Sequence, residues 1–112
     1  MAQPTAITAK ELETLLKGPN PPRLIDVREP AEWTGELGHI EGAELIPLQQ
    51  LNQHADKLQK NRDRKIVVHC KSGGRSMQFT QALRQAGFKD VKSMAGGILL
   101  WNKDVNPGGP QY

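Results

Sequence analysis

One residue, Cys70, is the best candidate for covalent chemistry, because it is the only thiol in the 112-residue chain. It lies in the stretch HCKSGGRS, where two glycines and two basic residues follow it. Loop amides shaped by Gly73 and Gly74, with the start of a helix behind them, would form a concave cradle for an anion. The Cys70 thiolate is itself such an anion. Lys71 and Arg75 would lower the pKa of the thiol further and make it a stronger nucleophile at neutral pH.

The alternative for a lone cysteine is an inert, buried apolar side chain. The surrounding sequence favours the reactive reading. The run KIVVH (65–69) predicts a strand that ends at Cys70, and SMQFTQALRQAG (76–87) predicts a helix closed by Gly87. Ligands of parallel α/β sheets bind at the carboxyl ends of the strands, where this thiol is expected to lie.

The rest of the chain supplies the elements that must support this loop. Thr8 and Glu11 form a capping box, and Ile7 and Leu12 a hydrophobic staple, which predicts a helix over residues 9–17. Further strands are predicted for RLIDV, ELIP and DVKSM, a helical turn for PAEW, helices for LQQLNQHADKLQK and GGILLWNKD, and turns for the tail NPGGPQY. Strands that alternate with helices predict an α/β domain with a mostly parallel sheet.

Size and composition narrow the functional classes. The length fits one domain over residues 1–112. A net charge of +3 without a basic block, and 4% aromatic residues, argue against a nucleic-acid partner. The sequence contains no apolar run long enough for a membrane span and no secretory leader, so we expect a cytoplasmic protein.

The histidines do not predict a metal site. His39, His54 and His69 are not at ligand spacing, and no second cysteine could complete a zinc site. His69 adjoins Cys70, but neighbouring strand residues point to opposite faces, so a structural role is expected for it. The glycines of GHIEGA and AGGILLW are expected to serve positive φ or close approach, and the tryptophans to serve packing.

Four segments in order, LIDVREPAEW, GHIEGAELIPL, IVVHCKSGGRS and LRQAGFKDVKSMAGGILLW, resemble single-domain rhodanese-like sulfurtransferases of the thiosulfate type over essentially the whole chain. The resemblance implies a three-layer α/β/α domain with a central, mostly parallel five-stranded sheet. It also implies that Cys70 takes a sulfane sulfur from thiosulfate or a similar donor, holds it as a persulfide and passes it to a thiophilic acceptor. No metal or organic cofactor is expected.

The remaining site predictions follow from this cycle. The persulfide would meet the loop amides of Lys71, Ser72, Gly73, Gly74, Arg75 and Ser76. Lys71 and Arg75 would also hold the anionic donor and stabilise the departing sulfite. Arg28 is a weaker substrate-side candidate, since it could equally form a structural ion pair with Asp26.

Three alternatives stay open at this stage. HCKSGGRS also resembles the cysteine loop of the phosphatase and arsenate-reductase branch of this superfamily, but that loop has seven residues. The loop from Cys70 to Arg75 has six, which resembles the loop of the sulfurtransferases. A phosphatase would also need a general acid, and an arsenate reductase a resolving thiol such as glutathione. The tail NPGGPQY resembles the end of rhodanese domains fused to E1-like enzymes. That favours a second reading, a docking module that relays sulfur to a ubiquitin-like sulfur-carrier protein.

Overall fold

A computed structural model describes residues 5–59 and 64–105, which fold around a central sheet. Its five strands are all parallel, in the order β1-β5-β4-β2-β3. They are β1 (Ala6–Ile7), β2 (Arg23–Asp26), β3 (Glu44–Leu45), β4 (Ile66–His69) and β5 (Val91–Met94). The predicted α/β class and the parallel five-stranded sheet are therefore confirmed.

Strand β4 is the middle of the sheet, and all four of its residues are buried. Val68 pairs with Ile25 of β2 on one side and with Ser93 of β5 on the other. A strand that is covered on both faces has no solvent side, which explains why IVVH lacks polar alternation. This position brings the carboxyl end of β4, and hence Cys70, to the centre of the sheet edge.

Helices cover both faces of the sheet. They are α1 (Ala9–Leu16), α2 (Pro30–Trp33), α3 (Leu51–Gln59), α4 (Gly74–Gln85) and α5 (Gly97–Asp104), and a 3₁₀ turn (Leu48–Gln50) precedes α3. Phe79 and Leu83 of α4 pack with Val68 in one core. Leu12 of α1 and Ile98 of α5 pack in a second core on the opposite face. The three layers hold the strands rigidly beneath the cysteine loop.

Local capping signals set several helix ends as predicted. Thr8 Oγ1 accepts from the Glu11 amide, and the Glu11 carboxylate accepts from the Thr8 amide, so the capping box is confirmed. At the end of α4, Gly87 has φ +99°, and the Phe88 amide donates to the Leu83 carbonyl at 3.1 Å. This is a Schellman ending, which requires a residue such as glycine at the left-handed position.

The boundaries differ from the predictions in a few places. Strand β1 was not predicted from the residues at all, and α4 begins at Gly74, two positions before the predicted start at residue 76. The first turn of the predicted helix 48–60 is 3₁₀, its last residue lies outside the described part of the chain, and so does the tail NPGGPQY. None of the helices in the described ranges is both long and apolar enough to cross a membrane.

Candidate active site

The sulfur of Cys70 lies at the floor of the loop between β4 and α4. The residue is only 1% exposed. Its Sγ accepts a hydrogen bond from the Gly73 amide at 3.0 Å and lies 3.5 Å from the hydroxyl oxygen of Ser76. Because α4 starts at Gly74, the partial positive charge of its amino terminus adjoins the sulfur. The predicted anion-binding loop is thus present, and the Cys70 sulfur itself accepts a hydrogen bond from one of its amides.

The pKa of Cys70 is the balance of two opposing effects. Burial of the thiol raises it, but hydrogen bonds from the Ser76 hydroxyl and from the amides of Ser76, Gly73 and Ser72 outweigh burial, and the net pKa lies below the ordinary value. The predicted direction is therefore confirmed. The prediction also invoked basic side chains; hydrogen bonds to the thiolate are the larger causes in the structure, and the attraction between the thiolate and Arg75 acts in the same direction.

A second hydroxyl supports Ser76 from below. Ser93 lies on β5, is 2% exposed, and its Oγ is 2.7 Å from Ser76 Oγ. The Ser76 hydroxyl also donates a hydrogen bond to the Gly73 carbonyl, at 3.1 Å. When Cys70 is ionised, the Ser93 hydroxyl can donate to Ser76 while the Ser76 hydroxyl turns to the thiolate. Ser93 was not singled out from the sequence, although a serine in the buried strand DVKSM is the signal that could have identified it.

The two loop glycines differ in what they require. Gly73 has φ +124°, a conformation that other residues rarely adopt. Gly74 has no positive φ, and a Cβ added there would meet nothing within 4 Å. Both glycines were predicted to shape the loop, but of the two only Gly73 has a backbone conformation that requires glycine, and Gly74 is the first residue of α4.

The start of α5 holds the backbone of the cysteine loop from behind. The Ile98 amide donates to the Cys70 carbonyl at 2.9 Å, and the Leu99 amide donates to the Lys71 carbonyl at 3.2 Å. Gly97 has φ +58°, and a Cβ there would lie 2.4 Å from both carbonyl oxygens. The close approach expected for the glycines of AGGILLW is confirmed at this contact.

Arg75 reaches an acidic partner that sequence reasoning missed. Its Nη1 donates to Glu32 Oε1 at 2.6 Å and its Nη2 to Glu32 Oε2 at 3.0 Å. These bonds lower the pKa of Glu32 to about 2 and raise that of Arg75. The bidentate pair joins α2 to the first turn of α4 across the mouth of the loop. Arg75 was predicted to hold the donor, whereas here its guanidinium is occupied by a carboxylate.

Arg28 forms the predicted ion pair with Asp26. Arg28 is fully buried, its Nη2 donates to Asp26 Oδ2 at 2.7 Å, and the same nitrogen donates to the Gly38 carbonyl at 2.8 Å. It nevertheless lines a cleft of about 450 Å³ beside the loop, whose walls are Arg28, Glu32, Gly35, Glu36, Leu37, Lys71 and Leu99. Its substrate-side role stays a prediction. Asp26 is fully buried in this pair and is not placed as a general acid.

Ile66, Val68 and Cys70 belong to one core and Val67 to the other, so alternation along the chain places His69 on the face opposite the thiol, as expected. Its Nε2 is 3.7 Å from Asp26 Oδ2, and its Nδ1 is 3.4 Å from the Cys70 carbonyl oxygen. Burial lowers the pKa of His69, so the ring is neutral at pH 7. Among the residues that the structure describes, no three His, Cys, Asp or Glu side chains are grouped to hold a metal ion.

The fold and the loop together define a class: a parallel α/β domain that presents an activated cysteine at the carboxyl end of its central strand. The model of one protein family, described as Rhodanese-like domain, matches residues 8–104. The chain belongs to this rhodanese-like family, and the resemblance seen in the sequence is confirmed.

Several relatives in this family carry sulfurtransferase names. The probable adenylyltransferase/sulfurtransferase MoeZ of Mycobacterium tuberculosis is 38% identical over 99% of this chain, which spans only 28% of MoeZ. Thiosulfate sulfurtransferase 16, chloroplastic, of Arabidopsis thaliana is 37% identical over 76% of this chain and 78% of its own length. The solved structure of the human single-domain sulfurtransferase TSTD1 is 26% identical and superimposes with a TM-score of 0.78, covering 91% of this chain and 98% of that one.

Proposed function

We propose that this protein is a sulfurtransferase that carries sulfane sulfur as a persulfide on Cys70. The observation that supports this most directly is the hydrogen bond that the Gly73 amide donates to the Cys70 sulfur, at 3.0 Å, within a six-residue loop. The names of the relatives point to the same chemistry.

The proposed first half-reaction begins with the Cys70 thiolate. It attacks the outer sulfur of thiosulfate, a new S–S bond forms, and the bond between the two donor sulfurs breaks. The electron pair of that bond leaves with sulfite, so one anion is exchanged for another and no proton moves. Loop amides that are already oriented toward the thiolate would stabilise the persulfide anion without reorganisation.

The second half-reaction returns the sulfur to an acceptor. A nucleophile such as cyanide in an assay, or a thiolate in the cell, attacks the outer persulfide sulfur, and the Cys70 thiolate leaves. The cycle uses no metal and no organic cofactor. The substrate-binding residues of this proposal are the loop positions Lys71, Ser72, Gly73, Gly74, Arg75 and Ser76, which contribute backbone amides, with Arg28 and the Lys71 side chain at the edge of the cleft.

The geometry disfavours the phosphatase and arsenate-reductase readings. Asp26, a carboxylate near the loop, is fully buried against Arg28 and is not available to protonate a leaving group. Arg75, which would grip an oxyanion, is bound by Glu32 instead. The Gly73 amide already donates to the thiol sulfur, so the remaining loop amides suit one additional sulfur atom better than a tetrahedral oxyanion.

Intact-mass spectrometry tests the proposal. Incubation of the protein with excess thiosulfate should add the mass of one sulfur atom, and subsequent cyanide should remove it and release thiocyanate. Cys70→Ser is the matched control, because it changes one atom of the side chain and should acquire no sulfur. An unmodified wild-type protein, or the same addition on Cys70→Ser, would refute persulfide formation at this residue.

The likeness to MoeZ favours one second candidate, a module that relays sulfur to a partner protein. In that case the acceptor is a small sulfur-carrier protein, and thiosulfate serves only to load Cys70. The distinguishing measurement compares transfer from the loaded protein to cyanide and to a carrier protein that ends in Gly-Gly. Fast turnover with cyanide that no carrier accelerates would contradict the relay, whereas capture of the carrier through loaded Cys70 supports it.

A further inference from the structure

Glu32 controls where the positive charge of Arg75 is placed. The carboxylate holds both terminal nitrogens of the guanidinium, at 2.6 and 3.0 Å. Glu32 is itself fixed, because the Glu29 amide donates to its Oε1 at 3.0 Å as part of the capping box of α2. The charge of the Cys70 thiolate contributes to the raised pKa of Arg75, so the guanidinium remains within electrostatic reach of the sulfur. Arg75 therefore interacts electrostatically with the reacting sulfur while its guanidinium is paired with Glu32.

The cleft beside the loop contains little net charge. Arg28, on its wall, is neutralised by the buried carboxylate of Asp26 at 2.7 Å. Glu32 is likewise neutralised by the arginine it holds. The remaining charged side chains on the wall are Lys71 and Glu36, which are exposed and of opposite sign. Because these two charges largely cancel at a distance, the wall gives a doubly charged donor only a small additional attraction, supplied by Lys71.

We propose that Glu32 determines donor specificity: by holding Arg75, it makes the site favour singly charged sulfane donors over dianionic thiosulfate. This inference rests on the proposed sulfurtransferase function and narrows its substrate class. A persulfide or a thiosulfonate carries one negative charge on the transferred sulfur, and the amides around Cys70 suffice to bind it. Thiosulfate has a second charge, on its sulfonate end, for which the structure provides no unpaired arginine among the described residues of the cleft.

Methanethiosulfonate is the matched probe for thiosulfate, because a methyl group replaces one charged oxygen. The chemistry is the same for both. The Cys70 thiolate forms an S–S bond to the terminal sulfur, the donor S–S bond breaks, and its electron pair leaves with methanesulfinate or with sulfite. The ratio of kcat/KM for thiosulfate to that for methanethiosulfonate, measured with cyanide as acceptor, therefore reports how the site treats one additional charge.

Glu32→Gln should raise this ratio about tenfold, the effect of one released unit charge a few ångströms from a partly exposed ligand. Glutamine still accepts the Glu29 amide, so the capping box and α2 are retained. The double variant Glu32→Gln, Arg75→Gln should return the ratio to within about threefold of wild type, since the released charge is then gone. Glu36→Gln is the matched control, because it removes a carboxylate from the same wall without releasing Arg75.

An unchanged ratio in Glu32→Gln, or an equal rise in Glu36→Gln, would overturn the role of Glu32. If Glu32→Gln does not fold, the wild-type protein decides. Its rate of persulfide formation with each donor is divided by the rate of a small free thiol with the same donor. An acceleration for thiosulfate that is no larger than that for methanethiosulfonate supports the inference, and a larger one refutes it. A wild-type protein that gains no sulfur from either donor would instead refute the proposed function.

Discussion

Removing the Ser76 hydroxyl should make Cys70 a weaker acid. Ser76→Ala deletes the side-chain hydrogen bond that is the largest cause lowering the pKa of this thiol, second in size only to the opposing effect of burial. A hydrogen bond to a charged group contributes about 1.5 to 3 kcal/mol. The Sγ to Oγ distance of 3.5 Å places this one at the weak end. About 1.5 kcal/mol corresponds to a rise of about one pKa unit.

The assay is the pH dependence of Cys70 alkylation by iodoacetamide, followed by intact mass. Only the thiolate reacts, and the chain has one cysteine, so the midpoint of the rate profile is the pKa of Cys70. Where pH lies below both midpoints, the variant should react about tenfold more slowly, because a shift of one pKa unit changes the thiolate fraction tenfold.

Thr80→Val is the matched control for this measurement. Thr80 lies one helical turn further along α4, is fully buried, and its hydroxyl oxygen has no hydrogen-bond partner among the described residues. Valine keeps the shape of the side chain and removes only that hydroxyl, so the alkylation midpoint should not move. A folded Ser76→Ala protein with the wild-type midpoint, or an equal shift in Thr80→Val, would refute the assignment of the low pKa to Ser76.

Two further predictions concern the frame of the site. Gly97→Ala should lower the free energy of unfolding by about 3 kcal/mol in urea titrations, because its Cβ would lie 2.4 Å from the carbonyl oxygens of Cys70 and Lys71. The control Gly74→Ala should lower it by less than about 0.5 kcal/mol, because a Cβ there meets nothing within 4 Å. Equal losses in the two variants would contradict this prediction. Burial lowers the pKa of His69, so the unfolded state binds a proton that the folded state does not, and the free energy of unfolding should fall as pH drops below about 6.5. Urea titrations across that range should show a shallower pH slope for His69→Gln, and parallel slopes would argue against it.

The parts of the fold that the sequence predicted well are those specified by neighbouring residues. The capping box at Thr8 and Glu11 and the glycine ending at Gly87 are local patterns, and each corresponds to hydrogen bonds in the structure. Strand β1 was missed for the opposite reason. It has two residues, of which only Ile7 is buried, and it is a strand because Ile7 pairs with Met94 far along the chain. No local period can indicate such a strand.

The site shows the same division. The position of Cys70 after a buried strand, and the arrangement of amides around it, follow from the loop sequence. The partner of Arg75 does not, because Glu32 is 43 positions away and several other acidic residues could have met the arginine equally well on paper. Ser93 is similar: its hydroxyl matters only because β5 lies beside β4 and aligns it with Ser76. Side-chain partners brought together by strand order require the three-dimensional structure.

The two amides that α5 donates to the carbonyls of Cys70 and Lys71 also set an order of events during synthesis. The cysteine loop leaves the ribosome before β5 and α5 have emerged, so at that stage its backbone lacks both the neighbouring strand and the two donors. The two hydrogen bonds from α5 to the loop can form only after Leu99 has emerged. In the nascent chain the Ser76 hydroxyl and the loop amides that lower the pKa of Cys70 are therefore not yet held in place by α5.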